Sequence, residues 1–222
     1  MLISFSGLDG AGKSTQIEKL HGWLSGHGYC PIIIWARGGY TPGFEFLKRC
    51  LRTISGHHLP GAGHTKARND LFTKSYISRA WIVIAILDLM VLWGVYIRYQ
   101  RLVGRIVICD RYIDDTLLDF RHNFPHVEFE KSVFWRFLTH ITPKPDISFL
   151  LWVPVAVSLE RSALKREPFP DNEETLEWRL SEYRRKQNFS EQKPVLLDGR
   201  NSSTEIFGRV LTCVNQVLNS VV

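Results

Sequence analysis

The chain has 222 residues, 45% hydrophobic and 23% charged, a composition that excludes disorder and fits one ordinary globular domain spanning residues 1–222. Its formal net charge of +6 suits nucleotides and phosphates, and without a basic tract or nucleic-acid motif a nucleic-acid polymer is not expected as a partner. Four scattered cysteines, Cys30, Cys50, Cys109 and Cys213, have no CxxC spacing; they exclude a disulfide framework and a zinc site and read as reduced, mostly buried thiols of a cytoplasmic protein.

The N-terminus runs from Met1-Leu2-Ile3-Ser4-Phe5 straight into glycines, without the basic start and apolar core of a secretory leader. Leu2 to Phe5 is a short apolar run, and Lys13 to Gly26 has helical spacing with Ile17, Leu20 and Leu24 on one face. Pro31-Ile32-Ile33-Ile34-Trp35 reads as a second buried strand ended by Gly38-Gly39, and Phe44 to Ile54 as a short helix. Gly56 to Gly63 is a loop by composition. Arg68 to Arg101 reads as one long helix or two consecutive ones.

Inside that helix, Ala80 to Ile97 approaches the length and apolarity of a membrane span. Asp88 near its middle argues against one, because a carboxylate at mid-bilayer is costly, and Arg79, Arg98 and Arg101 flank it. A helix apolar on nearly all sides is expected instead in the core or the dimer interface of a soluble α/β protein, with no membrane partner.

Arg105 to Asp110 is a third strand ending in a carboxylate, and the stretch around Glu128 to His140 is helical, followed by a Pro143–Pro145 break. Asp146 to Val153 is a fourth strand, Ala156 to Lys165 a helix and Arg166 to Asn172 a polar loop. Glu173 to Gln187 is a strongly charged helix whose Arg179, Arg184, Arg185 and Lys186 interleave with glutamates, as on an exposed salt-bridged face. Val195 to Asp198 is the fifth strand, and Thr204 to Leu218 a closing helix. Apolar strands without polar alternation, separated by helices, predict an α/β fold: a five-stranded parallel sheet flanked by helices on both faces.

Gly7-Leu8-Asp9-Gly10-Ala11-Gly12-Lys13-Ser14 matches G-x-x-x-x-G-K-[ST] in full, after a strand and opening a helix. Glycines let backbone N–H groups converge on phosphates, and the helix aims its positive end at the same anion. Gly7, Asp9, Gly10, Ala11, Gly12, Lys13, Ser14 and Thr15 therefore form the candidate cradle for a nucleoside triphosphate. Lys13 supplies charge at the outer phosphates, and Ser14 with strand-ending Asp110 supplies ligands for Mg²⁺. No N-K-x-D motif is present, which counts against a GTPase switch. Arg37, just past the second strand, suits an acceptor that is itself a phosphate, since an ionised acceptor needs neutralisation more than a base.

These residues carry a family likeness. The run Phe5 to Gln16 resembles the opening of thymidylate kinases, Asp110-Arg111-Tyr112 resembles their D-R-[YFH] motif, and Val153 to Arg161 is similar to the segment leading into their lid. The resemblance implies an ATP- and Mg²⁺-dependent transfer to a nucleoside monophosphate, with dTMP the leading acceptor, on the fold of P-loop NTPases, in a homodimer. It implies that Asp9 takes the acceptor sugar's 3′-hydroxyl, Arg37 holds the acceptor phosphate, Arg111 bridges both phosphates, and Tyr112 packs on the sugar or base. Position 10 is Gly rather than the Arg of some relatives, which implies a catalytic cation from a lid at about 161–173: Lys165 or Arg166, with Arg161 a further candidate.

Two departures stand in the base-reading region. Leu89 occupies the place of the family's thymine-reading Arg, and Asp115 to Phe120 replaces an S-x-x-A-Y-Q-like run. The alternatives are a kinase of another phosphorylated acceptor and a nucleotide-binding regulatory module with little turnover.

Overall fold

Five short apolar runs, β1 (Leu2–Gly7), β2 (Pro31–Trp35), β3 (Ile106–Asp110), β4 (Ile147–Trp152) and β5 (Val195–Asp198), form one sheet in the order β2-β3-β1-β4-β5. Every pairing is parallel, as expected for strands that lack polar alternation. The computed structural model describes residues 1–35, 75–165, 171–189 and 193–220. Arg37, Arg166, the helix expected over Phe44 to Ile54 and the loop expected over Gly56 to Gly63 lie outside the described residues.

Alternation along the strands assigns the two faces of the sheet. Ile3 and Phe5 of β1, Ile106 and Ile108 of β3, and Phe149 and Leu151 of β4 share a core with Ile17, Leu20 and Leu24 of α1 (Lys13–Gly26). Ile206, Val210 and Val214, on the C-terminal helix Ser203–Ser220, complete it. The Phe5 and Phe149 rings stack there at 4.9 Å. Ser4 and Ser6 face the other way, and Ser4 Oγ donates to Ser148 Oγ on the neighbouring strand at 3.0 Å. Leu196 of edge strand β5 is 44% exposed, and strand β2 departs from the expected burial as well. It pairs with β3 at the sheet's edge, and its Ile33 and Trp35 are nearly half exposed. Cys30, just before it, is exposed as well.

Main-chain packing divides the chain into two compact units. The first, Met1–Trp35, Gln100–Asp115 and Lys144–Val222, holds the whole sheet. The second, Ala36–Tyr99 and Thr116–Pro143, is described here over 75–99 and 116–143. Its long helix begins as α2 (Ser75–Leu89), passes through a π-helical stretch (Met90–Ile97) and continues as α3 (Arg98–Leu102).

The apolar helix expected in the core or at a dimer interface is buried along one face. Ile82, Ala85, Ile86, Leu89, Trp93 and Ile97 are shielded, whereas Leu87, Val91, Val95 and Tyr99 are exposed. The segment Ser78–Leu102 is long and apolar enough to cross a bilayer by length and composition, a test that core helices of soluble proteins also pass. Gly94 permits close packing against α5 (Val133–Ile141): a Cβ there would stand 2.6 Å from Ile141 Cδ1. Arg98 Nη2 ties the same pair of helices by donating to the Ile141 carbonyl at 2.8 Å.

No helix is expected from the sequence between Asp110 and Glu128, yet α4 (Ile113–Asn123) forms there. Its first turn carries Asp114 and Asp115 and its last turn Arg121 and His122, the charge order that complements a helix dipole. Phe120 of α4 forms an aromatic cluster with Phe124, Phe129 and Trp135, meeting both phenylalanines edge-to-face. The two positions that depart from the family's base-reading pattern, Leu89 and Phe120, are thus both buried core residues of the second unit.

Leu20 is completely buried and Leu102 is 85% exposed. Leu20→Ala should therefore cost about 2–5 kcal/mol in urea unfolding, and Leu102→Ala should stay within about 0.5 kcal/mol.

Candidate functional site

Strand β1 ends on a glycine that its neighbour requires. Gly7 has φ 135°, and a Cβ on it would sit 2.0 Å from the Leu151 carbonyl oxygen of β4. Gly10 and Gly12 also take left-handed φ values, 72° and 97°, which fold the following chain into an open loop. Helix α1 then starts at Lys13 with Gly12 as its N-cap. It has no side-chain cap and no acidic residue in its first turn. Its orphan N–H groups and positive dipole end are thus left for an external anion, with Ser14 and Thr15 exposed on the same turn.

Lys13 bends back over this loop. Its Nζ donates to the carbonyls of Gly7 at 3.0 Å and Leu8 at 2.7 Å and lies 3.9 Å from Asp9. Burial, then the nearby Arg111, push its pKa down to about 8, against the opposing pull of Asp9, Asp110 and Asp115. Asp110, at the end of β3, shifts upward. Burial is the main cause, and the charges of Lys13 and Arg111 oppose it. Its Oδ1 is buried and accepts no hydrogen bond from any described group. An orphaned carboxylate oxygen and an exposed serine hydroxyl on the loop suit Mg²⁺, which keeps waters and shares its shell with phosphates. Among the described residues no group of three or more His, Cys, Asp or Glu could hold a metal by itself, so Ser14 and Asp110 could hold the ion only together with ligand oxygens.

Arg111 directly follows Asp110 and is the only non-glycine residue with positive φ among those described, at 72°. Its N–H donates to the Phe5 carbonyl at 2.9 Å, which brings the side chain over the end of β1. One arm of the guanidinium pairs with Asp9, and Nη1 reaches Asp115 at 3.4 Å. Asp9, Lys13, Asp110 and Arg111 therefore converge at the carboxyl ends of β1 and β3, where an open parallel sheet places its ligand crevice.

The other anticipated residues are distributed differently. Lys165 is the exposed C-cap of α6 (Val155–Leu164), its backbone N–H on the Arg161 carbonyl. Arg161 itself lies against the loop, where Nη1 donates to the carbonyls of Gly10 at 3.2 Å and Gly199 at 3.0 Å. Ser158 Oγ donates to the Asp9 carbonyl at 2.6 Å. These contacts explain the glycine at position 10, because a Cβ there would meet the Ser158 carbonyl at 3.0 Å and Arg161 Cβ at 3.1 Å.

Tyr112 is buried and lines a cavity of about 460 Å³ on the serine-bearing face of the sheet, with Ser4, Ser6, Ser148 and Tyr183. Nor is α7 (Glu173–Phe189) simply an exposed salt-bridged face. Arg179 is buried and paired with Asp171 at 2.9 Å, and Lys186 pairs with Asp114. Leu176, Arg179 and Tyr183 recur at helical spacing and turn inward.

Sequence reasoning passed over Asp115, Tyr183 and Gly199. Asp115 stands four residues after Arg111, the spacing of a helical ion pair, and that was the available signal. Gly199 had none, because only the fold brings it to the loop: a Cβ on it would lie 2.7 Å from the Ala11 carbonyl oxygen.

No protein-family model matches the chain. Thymidylate kinases do match it. That of Herpetosiphon aurantiacus is 28% identical over 172 residues, 78% of this chain and 65% of the relative. That of Desulfovibrio desulfuricans is 27% identical over 168 residues, 73% of this chain and 66% of the relative, so the chain spans slightly under two thirds of either. The thymidylate kinase of Bartonella henselae aligns almost end to end, 28% identical over 225 residues that cover 97% of this chain and 95% of the relative. The likeness to thymidylate kinases thus extends over nearly the whole chain. The matched span takes in the loop, Asp110-Arg111-Tyr112 and α6.

The depressed Lys13 pKa has a measurable consequence. Lys13 is charged below about pH 8 and neutral above it, so anion binding weakens as the pH rises. With a chelator present, the Kd for ATP measured by calorimetry should rise by about tenfold per pH unit above that point. An ordinary lysine would hold the Kd flat to about pH 10.

Proposed function

We propose that this chain transfers the γ-phosphoryl group of ATP to dTMP, giving ADP and dTDP by direct in-line displacement. The convergence of Lys13, Arg111, Asp9 and Asp110 around an uncapped helix N-terminus carries the reading, together with the end-to-end likeness to a thymidylate kinase.

In this reading the N–H groups from Gly7 to Thr15 cradle the donor phosphates. Lys13 leaves the carbonyls of Gly7 and Leu8 to neutralise the outer ones. Mg²⁺ held by Ser14 and Asp110 would neutralise charge on the donor phosphates. Arg111 exchanges its pairing with Asp9 for the phosphates, which frees Asp9 to accept a hydrogen bond from the acceptor's 3′-hydroxyl. Arg37 clamps the acceptor phosphate, and Tyr112 supports the acceptor's sugar or base. The acceptor is already ionised at neutral pH, so no general base is assigned, and the stabilisation is electrostatic. The late cation comes from the lid, Lys165 or Arg166, with Arg161 already at the loop. Both compact units act as one catalytic domain in a cytoplasmic enzyme.

A coupled assay of ADP release tests the reaction against dTMP, other nucleoside monophosphates and phosphorylated sugars. Turnover on dTMP is the expected result. Turnover confined to another acceptor would overturn the acceptor, and ATP binding with no ADP from any acceptor would overturn the kinase reading.

The exposed apolar stripe Leu87, Val91, Val95 and Tyr99 supports a homodimer with the stripe at the subunit contact. Val91→Glu should then shift the mass measured by light scattering from dimer to monomer while the far-UV spectrum stays unchanged.

A further inference from the structure

Asp115 has no part in that reaction, yet it is buried and held by donors on both of its oxygens. It is 1% exposed, and both its oxygens are fully occupied. Oδ1 accepts from Tyr183 Oη at 2.6 Å and from Arg111 Nη1 at 3.4 Å. Oδ2 accepts from Ser6 Oγ at 2.6 Å and from the Tyr112 N–H at 3.2 Å. A buried carboxylate persists only with such compensation, and here the donors come from β1, α7 and the turn between β3 and α4. A second tie, between Lys186 and Asp114, holds the same turns of α7 and α4 together.

Arg111 has two carboxylate partners of different kinds. Asp9 lies on the phosphate loop with 21% of its side chain exposed, and it is within 3.9 Å of Lys13. Asp115 lies beneath, immobilised by its four donors. The Arg111 backbone is fixed as well, in a left-handed conformation with its N–H on Phe5. An arginine otherwise loses considerable rotamer freedom when it engages a ligand. Pinned at its backbone and at Nη1, it has little left to lose.

We propose that Asp115, held in place by Tyr183 and Ser6, is a positioning residue for phosphoryl transfer. It is a fixed pivot for one arm of the Arg111 guanidinium, from which the other arm exchanges Asp9 for phosphate. The proposal rests on the kinase reading. It also makes Tyr183, on the helix that follows the lid segment, part of the machinery that aims Arg111. Burial and the neighbouring Asp115 raise the Tyr183 pKa well above its ordinary value, so the hydroxyl remains a donor at every working pH.

Tyr183→Phe removes one hydroxyl and tests the pivot. The expected result is a kcat lower by about tenfold or more, a KM for ATP within about twofold of the parent, and a melting temperature within about 4 °C of it. In an Arg111→Ala background the same substitution should change kcat by less than about twofold, because the two act as one unit. A kcat within about twofold of the parent, or effects that simply multiply, would overturn the proposal. Should Tyr183→Phe lose its cooperative melting transition, Ser6→Ala reads the pivot from the other carboxylate oxygen with the same criteria.

A readout independent of turnover separates this idea from the reaction itself. Phenylglyoxal labelling, mapped by mass spectrometry, should modify Arg111 several-fold faster in Tyr183→Phe than in the parent, with Arg121 unchanged as control. If the parent phosphorylates no monophosphate the kinase reading fails. If Arg111 labelling is unaltered the pivot fails, whatever the outcome of the assay.

Discussion

The site depends on burying two cations, Lys13 and Arg111, at the carboxyl ends of β1 and β3. Each is less than a tenth exposed. Unpaired, either would cost several kcal/mol, and Arg111 has no neutral form to retreat to. Asp9, Asp110 and Asp115 offset that cost, each from a different element or loop. Two positive charges then face three carboxylates. This arrangement holds the cations in place before any phosphate arrives, and its surplus negative charge suits a divalent cation at Asp110.

The backbone meets this electrostatic demand with unusual conformations. Gly7 lets β1 run hard against β4, Gly10 and Gly12 open the loop, and Arg111 takes a left-handed turn that a side chain ordinarily avoids. The strained Arg111 persists because a β1 carbonyl and two carboxylates specify its position. Helix α6 closes the far side of the loop through Ser158 and Arg161, leaving no room for a side chain at position 10. Arg161 thus reaches the loop from a separate helix.

Much of this was legible beforehand. The five strands, their parallel pairing and the glycine-lysine loop follow from apolar runs and local motif chemistry, which operate over a few residues. The edge position of β2, the helix α4 and the inward face of α7 did not. Edge status depends on which strands pair, and α4 buries Asp115, Thr116 and Asp119 beside Leu118 and Phe120, so its inward face is not an apolar stripe. On α7, alternating charges mask the stripe through Leu176, Arg179 and Tyr183, since an arginine is read as solvent-facing until its buried partner, Asp171, is known.

The phosphate loop, the carboxylate that ends β3, the arginine after it and the strands of the sheet are legible in the residues alone, because each is written in contiguous residues with local geometry. Their surroundings come from the folded chain. Ser6, Asp115 and Tyr183 lie far apart along the chain and meet through hydrogen bonds. Gly199 comes within reach of Ala11 only when β5 pairs with β4. Leu89 and Phe120 prove to be core residues because their neighbours in space, rather than in sequence, are apolar. Long-range contacts of this kind leave no period or motif behind, which is why they become visible only once the chain is folded.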